Sequence, residues 1–307
     1  ASVPRPEEDS VAAMPLFLLH LVTAVSHSSL ARFLACKRFG ATPMSMLEAY
    51  ATKTGYRKTW SGAVKARGKW LAMLGALLLA EALWCRGAWG FGPAVCWVVM
   101  ITGWWFVTAV TEACALGVDS YAFACLDRVY VLKDLAEGHH SSQFDPITGL
   151  VHEFNLLNAI VQTASGAMER AILAYLTVAV GVLLAWITLV TYLFSHGWGE
   201  HNAYHFELLG WGTVFLALTA KFFVQVSQVN MKFMRLPTMV NGMDFGLEED
   251  FRKANVVDYI QTALVTRHCG FLIFNVFISS SVLLKGCYYG AAASLHFATQ
   301  IAQYVAS

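Results

Sequence analysis

A run of 25 residues without Asp, Glu, Lys or Arg, at positions 171–195, constrains the fold of this chain more than any other feature. As an α-helix the run is roughly 37 Å long, at about 1.5 Å per residue, which is enough to cross a bilayer with some tilt. The composition agrees, because 57% of the 307 residues are hydrophobic and 13% are charged, whereas soluble domains carry about 25% charged residues. We therefore exclude a soluble globular protein and predict an integral membrane protein.

Further apolar stretches predict additional transmembrane helices and bring the expected total to about six spans. These stretches lie at residues 10–31, 70–85, 88–111, 208–231 and 270–307. The last contains a single charge, Lys285, so we expect a final helix that is broken there. The predicted fold is an all-α, polytopic membrane helical bundle that forms one domain over residues 1–307. Mixed charges precede the first stretch, so we expect that helix to be retained and not cleaved as a signal peptide.

Positive charge is concentrated between residues 36 and 69, where eight Lys and Arg residues accompany one acid, Glu48. By the positive-inside rule, this segment faces the cytoplasm or its organellar equivalent. Counting spans from it places residues 112–170 and 231–268 on the same side of the membrane. Apolar residues at helical spacing, such as Val118, Cys125 and Val129, predict amphipathic helices outside the bilayer. We therefore expect cytoplasmic helical anchor segments at residues 112–170 and 231–268.

Motifs for catalysis and metal binding are incomplete. Glu137 with His140, and His201 with His205, are spaced so that each pair shares one helical face. A metal centre needs further ligands, and neither a nucleophile elbow nor a glycine-rich phosphate loop accompanies these pairs. The net charge of +1 gives no basic surface for nucleic acid. We expect no enzymatic activity, no metal, no other cofactor and no nucleic-acid partner.

Charged and aromatic side chains within the predicted spans indicate two kinds of site. A lysine at the bilayer centre costs about 2.5–3.5 kcal/mol on insertion scales, so Lys285 is a candidate pore residue unless its ammonium group reaches the interface. We expect Glu81 and Lys221 to pair between helices. Five aromatic residues are candidates for an apolar ligand pocket, or alternatively for packing and membrane-interface roles. They are Trp84, Trp97, Trp104, Tyr204 and Trp211.

The second half of the chain has a characteristic order of elements. A long amphipathic helix enters a span, followed by a return span, a polar helix, and the sequence Cys-Gly-Phe-Leu-Ile-Phe-Asn at residues 269–275 before the final helix. Further residues that fit the same pattern are His152, Asn158, Gly166, Tyr192, Tyr289 and Gln300. In these features the chain resembles the gustatory-receptor-like proteins of the insect chemoreceptor superfamily, a family of seven-transmembrane ion channels.

The resemblance implies a homotetrameric, ligand-gated cation channel with cytoplasmic anchor helices and a small ligand bound among the outer halves of the earlier spans. It implies that the last helix lines the pore, with Ser294, Ala298 and Gln300 as pore-lining candidates beside Lys285 and a bend before Lys285. A second hypothesis stays open. In it, the chain is a non-catalytic subunit of a large, energy-converting membrane complex and binds lipids, pigments or neighbouring subunits.

Overall fold

The computed structural model describes residues 24–25, 27–28, 30–31, 33–35, 41–84, 91–136, 146–196, 203–244, 250–266 and 269–306. After a helical segment within residues 24–35, the described helices are α1 (Pro43–Lys53), α2 (Arg57–Trp84), α3 (Phe91–Ala136), α4 (Pro146–His196), α5 (Ala203–Asn241), α6 (Asp250–Thr266) and α7 (Ser280–Ala306). An antiparallel hairpin of β1 (Leu272–Ile273) and β2 (Val276–Phe277) separates α6 from α7. The predicted all-α class is confirmed.

Three of the described helices are long and apolar enough to cross a membrane. The qualifying segments are Val95–Asp127 in α3, Gly149–Thr191 in α4 and Gly212–Asn241 in α5. At about 1.5 Å per residue, even the shortest is roughly 45 Å long, whereas the hydrocarbon core of a bilayer is about 30 Å thick. These helices are consistent with an integral membrane protein and are longer than the hydrocarbon core of a bilayer is thick. The count of six spans stays a prediction, and most of the span predicted at residues 10–31 lies outside the described residues.

In α3 and α4, a predicted span and a predicted anchor segment form one continuous helix. Residues 112–136 complete α3, and residues 146–170 begin α4. No proline interrupts either junction, and proline is the residue that most strongly breaks a helix. In the second predicted anchor segment, residues 231–241 complete α5 and α6 follows separately. The hairpin predicted at residues 138–145 lies outside the described residues.

The centre of the fold is an aromatic cluster between α3, α4 and α5. Trp104 of α3 is fully buried, and its ring stacks on Tyr175 of α4 with 4.9 Å between ring centroids. Phe222 of α5 lies 4.8 Å from the same ring. On the outside of α3, Trp60 Nε1 of α2 donates a hydrogen bond of 3.1 Å to the carbonyl oxygen of Ala109. Aromatic packing of this kind, with edge and offset contacts, holds the three long helices together.

The last apolar stretch is interrupted at the hairpin and not at Lys285. Because α7 runs without a break from Ser280 to Ala306, the bend predicted before Lys285 is wrong. Lysine is a good helix former, so its charge does not disturb the backbone of the helix. The interruption comes from Phe274 and Asn275, whose φ angles of 52° and 60° lie in the left-handed region that right-handed helices exclude.

An ion pair joins α3 to α5 on the side of the molecule where the anchor was predicted. Lys232 Nζ of α5 lies 2.6 Å from Asp119 Oδ2 of α3, and the two side chains are 36% and 41% exposed. The pair that we expected between Glu81 and Lys221 cannot be placed in the same way. The side chain of Glu81 lies outside the described residues, and Lys221 is exposed on α5.

We expect the Asp119–Lys232 pair to contribute less than about 1 kcal/mol, because half-exposed ion pairs in contact with water are weak. A double-mutant cycle with Asp119→Asn and Lys232→Gln, read as thermal stability of the detergent-solubilised protein, measures this coupling. A coupling free energy above about 2 kcal/mol would contradict the prediction, because only a pair removed from water reaches that value. Such a value would indicate that this end of α3 lies in the bilayer and not in the predicted anchor.

Candidate pore-lining helix

One side of α7 packs on α4 and α5, and most of the helix is exposed in the single chain. Leu283 packs against the hydrophobic core, and the Ser280 hydroxyl hydrogen bonds to that of Ser227 of α5 at 3.0 Å. Ser294, which is half-buried, lies eleven residues after Leu283, or about three turns, and therefore on the same face. The opposite face of α7 points away from the protein's own core.

Five polar residues and one alanine form a continuous stripe along the outward face of α7, here called the polar seam. Successive members are four, three, four, three and four residues apart, a spacing that keeps them on one side of a helix. All of them are exposed. They are Lys285, Tyr289, Ala292, His296, Thr299 and Gln303. The sequence of α7 contains no Asp or Glu, so the seam carries positive charge and no negative charge.

An apolar stripe, here called the apolar seam, runs beside the polar seam. Its members are Leu284, Tyr288, Ala291 and Leu295, again at intervals of four, three and four residues. The three large side chains are 73%, 71% and 69% exposed. This spacing is that of the contact positions between packed helices. Ala291 gives the seam a small residue at which two helices can approach closely.

The pore-lining candidates predicted from the sequence divide between the two faces of α7. Lys285 and Gln300 are both exposed, and both lie on the side of the polar seam. Ser294 is half-buried and lies nine residues after Lys285, about two and a half turns, so it is on the opposite face. The side chain of Ala298 is outside the described residues. The sequence reasoning did not identify His296, Thr299 and Gln303, although the alternating three- and four-residue spacing from Lys285 would have found them.

A buried amide anchors the hairpin that precedes α7. Asn230 of α5 is fully buried, and its Nδ2 donates to the carbonyl oxygens of Phe271 and Ile278, each at 3.0 Å. Its Oδ1 accepts a hydrogen bond of 2.8 Å from the amide nitrogen of Phe271. From α4, Asn158 Oδ1 accepts a hydrogen bond of 3.2 Å from the Gly270 nitrogen. One side chain therefore holds the backbone on both sides of the hairpin, and a second holds its entrance.

Gly270 is required for this close approach. Its φ is +111°, and a Cβ atom at this position would lie 2.6 Å from Asn230 Oδ1. At the tip of the hairpin, Phe274 and Asn275 are the two central turn residues, and both have positive φ, as a type I′ turn requires. Asparagine adopts this conformation readily, whereas it is unusual for a bulky residue such as phenylalanine.

The aromatic residues predicted to bind a ligand fall within the helical core where they are described. Trp97 and Trp104 both contact the ring of Phe215 on α5, at 5.9 Å and 6.3 Å between ring centroids. Both tryptophans are buried, and Trp104 Nε1 has no hydrogen-bond partner among the described residues. The structure therefore brings these two candidates together around one phenylalanine. The side chains of Trp84, Tyr204 and Trp211 lie outside the described residues.

A separate open cleft of about 630 Å³ lies where α1 ends against α3 and α4. Charged side chains of both signs line it, namely Lys53, Asp127 and Glu153. The nearby Tyr50 hydroxyl has its pKa raised, mainly by burial and further by the charge of Glu153. This cleft lies beside the predicted anchor and is remote in sequence from the predicted pore helix.

Among the described residues, no cluster of three or more His, Cys, Asp or Glu side chains is arranged to hold a metal ion. Glu137, His140 and His201, together with the side chain of His205, lie outside the described part of the chain. The structure therefore does not describe the geometry of the two residue pairs whose spacing suggested metal binding.

No protein-family model matches this sequence, and no curated protein matches it either. We therefore infer the function from the geometry of α7 and of the hairpin that Asn230 holds.

We expect Asn230→Ala to lower the free energy of unfolding by about 2 kcal/mol or more, because it leaves three buried backbone groups without their partner. Thermal unfolding in detergent, followed by intrinsic fluorescence, measures the change. Asn155→Ala is the matched control, since Asn155 is half-buried and accepts one hydrogen bond of 2.8 Å, from the Tyr259 hydroxyl. Equal losses of stability in the two variants would contradict a special role for Asn230.

Proposed function

We propose that this chain is the pore-forming subunit of a homotetrameric, ligand-gated cation channel similar to the gustatory-receptor-like proteins. In this proposal α7 of each subunit lines the central pore. The observation that carries the proposal is the polar seam, which faces away from the chain's own core and runs beside an exposed apolar seam. A helix in a ring of identical helices needs an apolar side that packs on its neighbours and a polar side that faces water, and the two seams provide these sides.

A helix in a bilayer is surrounded by hydrocarbon wherever neither protein nor water covers it. Lys285, His296 and Gln303 are costly in hydrocarbon and need water or a polar partner. Around a central axis, the apolar seams of neighbouring copies bury one another, and the polar seams line a water-filled lumen. If the same helix stood alone in lipid, its polar seam would have neither water nor a polar partner. Water in the lumen therefore accounts for both seams at once.

The rest of the chain fits a channel subunit that spans the membrane about six times. The proposed spans are the apolar stretch at residues 10–31, the apolar end of α2, the outer parts of α3, α4 and α5, and α7. The inner ends of α3, α4 and α5, together with α6, form the proposed cytoplasmic anchor. The hairpin held by Asn230 joins this anchor to the start of the pore helix, so that α7 begins at the cytoplasmic side.

A ligand site in the outer half of the bundle is supported by the surroundings of Trp104. Its Nε1 is a buried donor without a described acceptor, and such a donor is destabilising by about 1–3 kcal/mol while it stays unpaired. A small apolar molecule with one hydrogen-bond acceptor, bound between α3, α4 and α5, would satisfy it. We therefore propose Trp97 and Trp104 as ligand-site residues.

The alternative function, a non-catalytic subunit of a larger membrane complex, assigns the same seams to an unlike partner. In that case an unlike helix or pigment covers the polar seam, and no continuous water path follows α7. The two functions therefore differ in the water access of positions along this helix.

Cysteine substitution along α7 tests the proposal. In a Cys287→Ala background reconstituted into nanodiscs, Thr299→Cys and Gln303→Cys should react with a water-soluble thiol reagent about tenfold faster than Leu295→Cys, because thiolate chemistry needs water. Leu295 is 69% exposed in the single chain, so slow labelling at this position requires a neighbouring copy of the chain or lipid to cover it. Mass spectrometry of the labelled protein gives the rates, and Ser294→Cys on the packed face is the second slow control.

The same reagent should block ion flux from liposomes that contain the Thr299→Cys variant and leave flux through the Leu295→Cys variant intact. Equal labelling of positions 295 and 299, or a Thr299→Cys variant that never reacts, would contradict a water-filled pore along the polar seam. The second of these outcomes is the one that an unlike partner on the seam predicts.

A further inference from the structure

Lys285 is the one Lys, Arg, Asp or Glu residue in the whole length of α7. It lies five residues from the start of the helix, about 7.5 Å along the axis, and is exposed at the hairpin end of the polar seam. Within the described part of the chain, no carboxylate lies within salt-bridge distance of its ammonium group. The charge of Lys285 is therefore not neutralised by any described residue.

The hairpin fixes the orientation of this charge. Asn230 holds both sides of the hairpin, and Leu283, two residues before Lys285, packs against the core. Two residues correspond to about 200° around a helix, so Lys285 points away from the core when Leu283 points into it. In a ring of identical subunits, one lysine from each copy then faces the axis near the hairpin end of the pore.

We propose that Lys285 limits the cation selectivity of this pore by forming a positive ring that opposes divalent cations more strongly than monovalent ones. The proposal deepens the proposed function and rests on it. Rings of charged side chains set ion selectivity in channels, with basic rings opposing cations. The effect acts through the electrostatic potential of the ring, so it depends on the valence of the ion that passes.

Valence gives the proposal a quantitative form. An ion of charge z in a potential set by the ring has an energy proportional to z. If the ring lowers Na⁺ permeability by a factor x, it lowers Ca²⁺ permeability by the square of x and raises Cl⁻ permeability by x. Removing the charge should therefore raise the Ca²⁺/Na⁺ permeability ratio by x and the Na⁺/Cl⁻ ratio by the square of x.

Recordings from the full-length protein in planar lipid bilayers test this relation with Na⁺, Ca²⁺ and Cl⁻ as the permeating ions. Reversal potentials of spontaneous openings give the Na⁺/Cl⁻ ratio in an NaCl gradient and the Ca²⁺/Na⁺ ratio under bi-ionic conditions. For Lys285→Gln we expect the Ca²⁺/Na⁺ ratio to rise about threefold and the Na⁺/Cl⁻ ratio about ninefold, at moderate salt. Lys285→Glu should shift both ratios further in the same direction.

Two control variants separate the charge at this position from other effects. Lys285→Arg keeps the charge and should keep the wild-type ratios. Lys221→Gln removes an exposed lysine from α5, away from the polar seam, and should leave selectivity unchanged. If Lys285→Gln assembles poorly, the permeability ratios of Lys285→Glu compared with those of Lys221→Gln still report the charge at position 285.

The outcomes distinguish this inference from the proposed function. Openings in every variant with the same permeability ratios would overturn the role of Lys285 and leave the pore intact. Shifts that fail to follow valence would also overturn it, because they would indicate a change of pore width. No ion conduction by the wild type or by any variant would overturn the proposed channel itself, and the role of Lys285 with it.

Discussion

The hydrogen bonds of Asn230 fix the junction between the helical bundle and α7, and the orientation of the last helix depends on them. One buried amide binds the backbone on both sides of the hairpin, at Phe271 and at Ile278. A buried backbone group that loses its partner is destabilising by about 1–3 kcal/mol, so the hairpin has little freedom to leave this position. The helix therefore starts from the bundle with Leu283 inward and the polar seam outward.

The same hydrogen bonds form a continuous path of contacts from the centre of the molecule to the start of α7. Asn158 and Asn230 belong to α4 and α5, the helices that also enclose Trp104 together with α3. Hydrogen bonds from both helices therefore reach the hairpin, at its entrance and at the buried Phe271. In the proposed channel, this path connects the ligand site between the long helices to the pore helix.

The sequence predicted the helices better than it predicted their relative orientation. Charge-free runs such as residues 171–195 correctly indicated long apolar helices, because hydrocarbon excludes charge and unpaired backbone groups. The break near Lys285 was misplaced, since the charge of a residue says little about its φ angle, and the left-handed residues are Phe274 and Asn275. The face of α7 that packs inward, and with it the position of Ser294, depends on contacts with Asn230 and Ser227. These residues lie more than fifty positions earlier in the chain, and no local pattern reveals the contacts.

In the proposed channel, identical copies of α7 meet around an axis, so the decisive quantity is the stoichiometry of the purified protein. Native mass spectrometry from nanodiscs measures this stoichiometry without knowledge of a ligand. We expect a homotetramer, and we expect the double substitution Leu284→Asp with Leu295→Asp to dissociate it, because these charges would lie between the exposed apolar seams. A stable monomer, or persistent co-purification with unlike subunits in place of further copies, would contradict it.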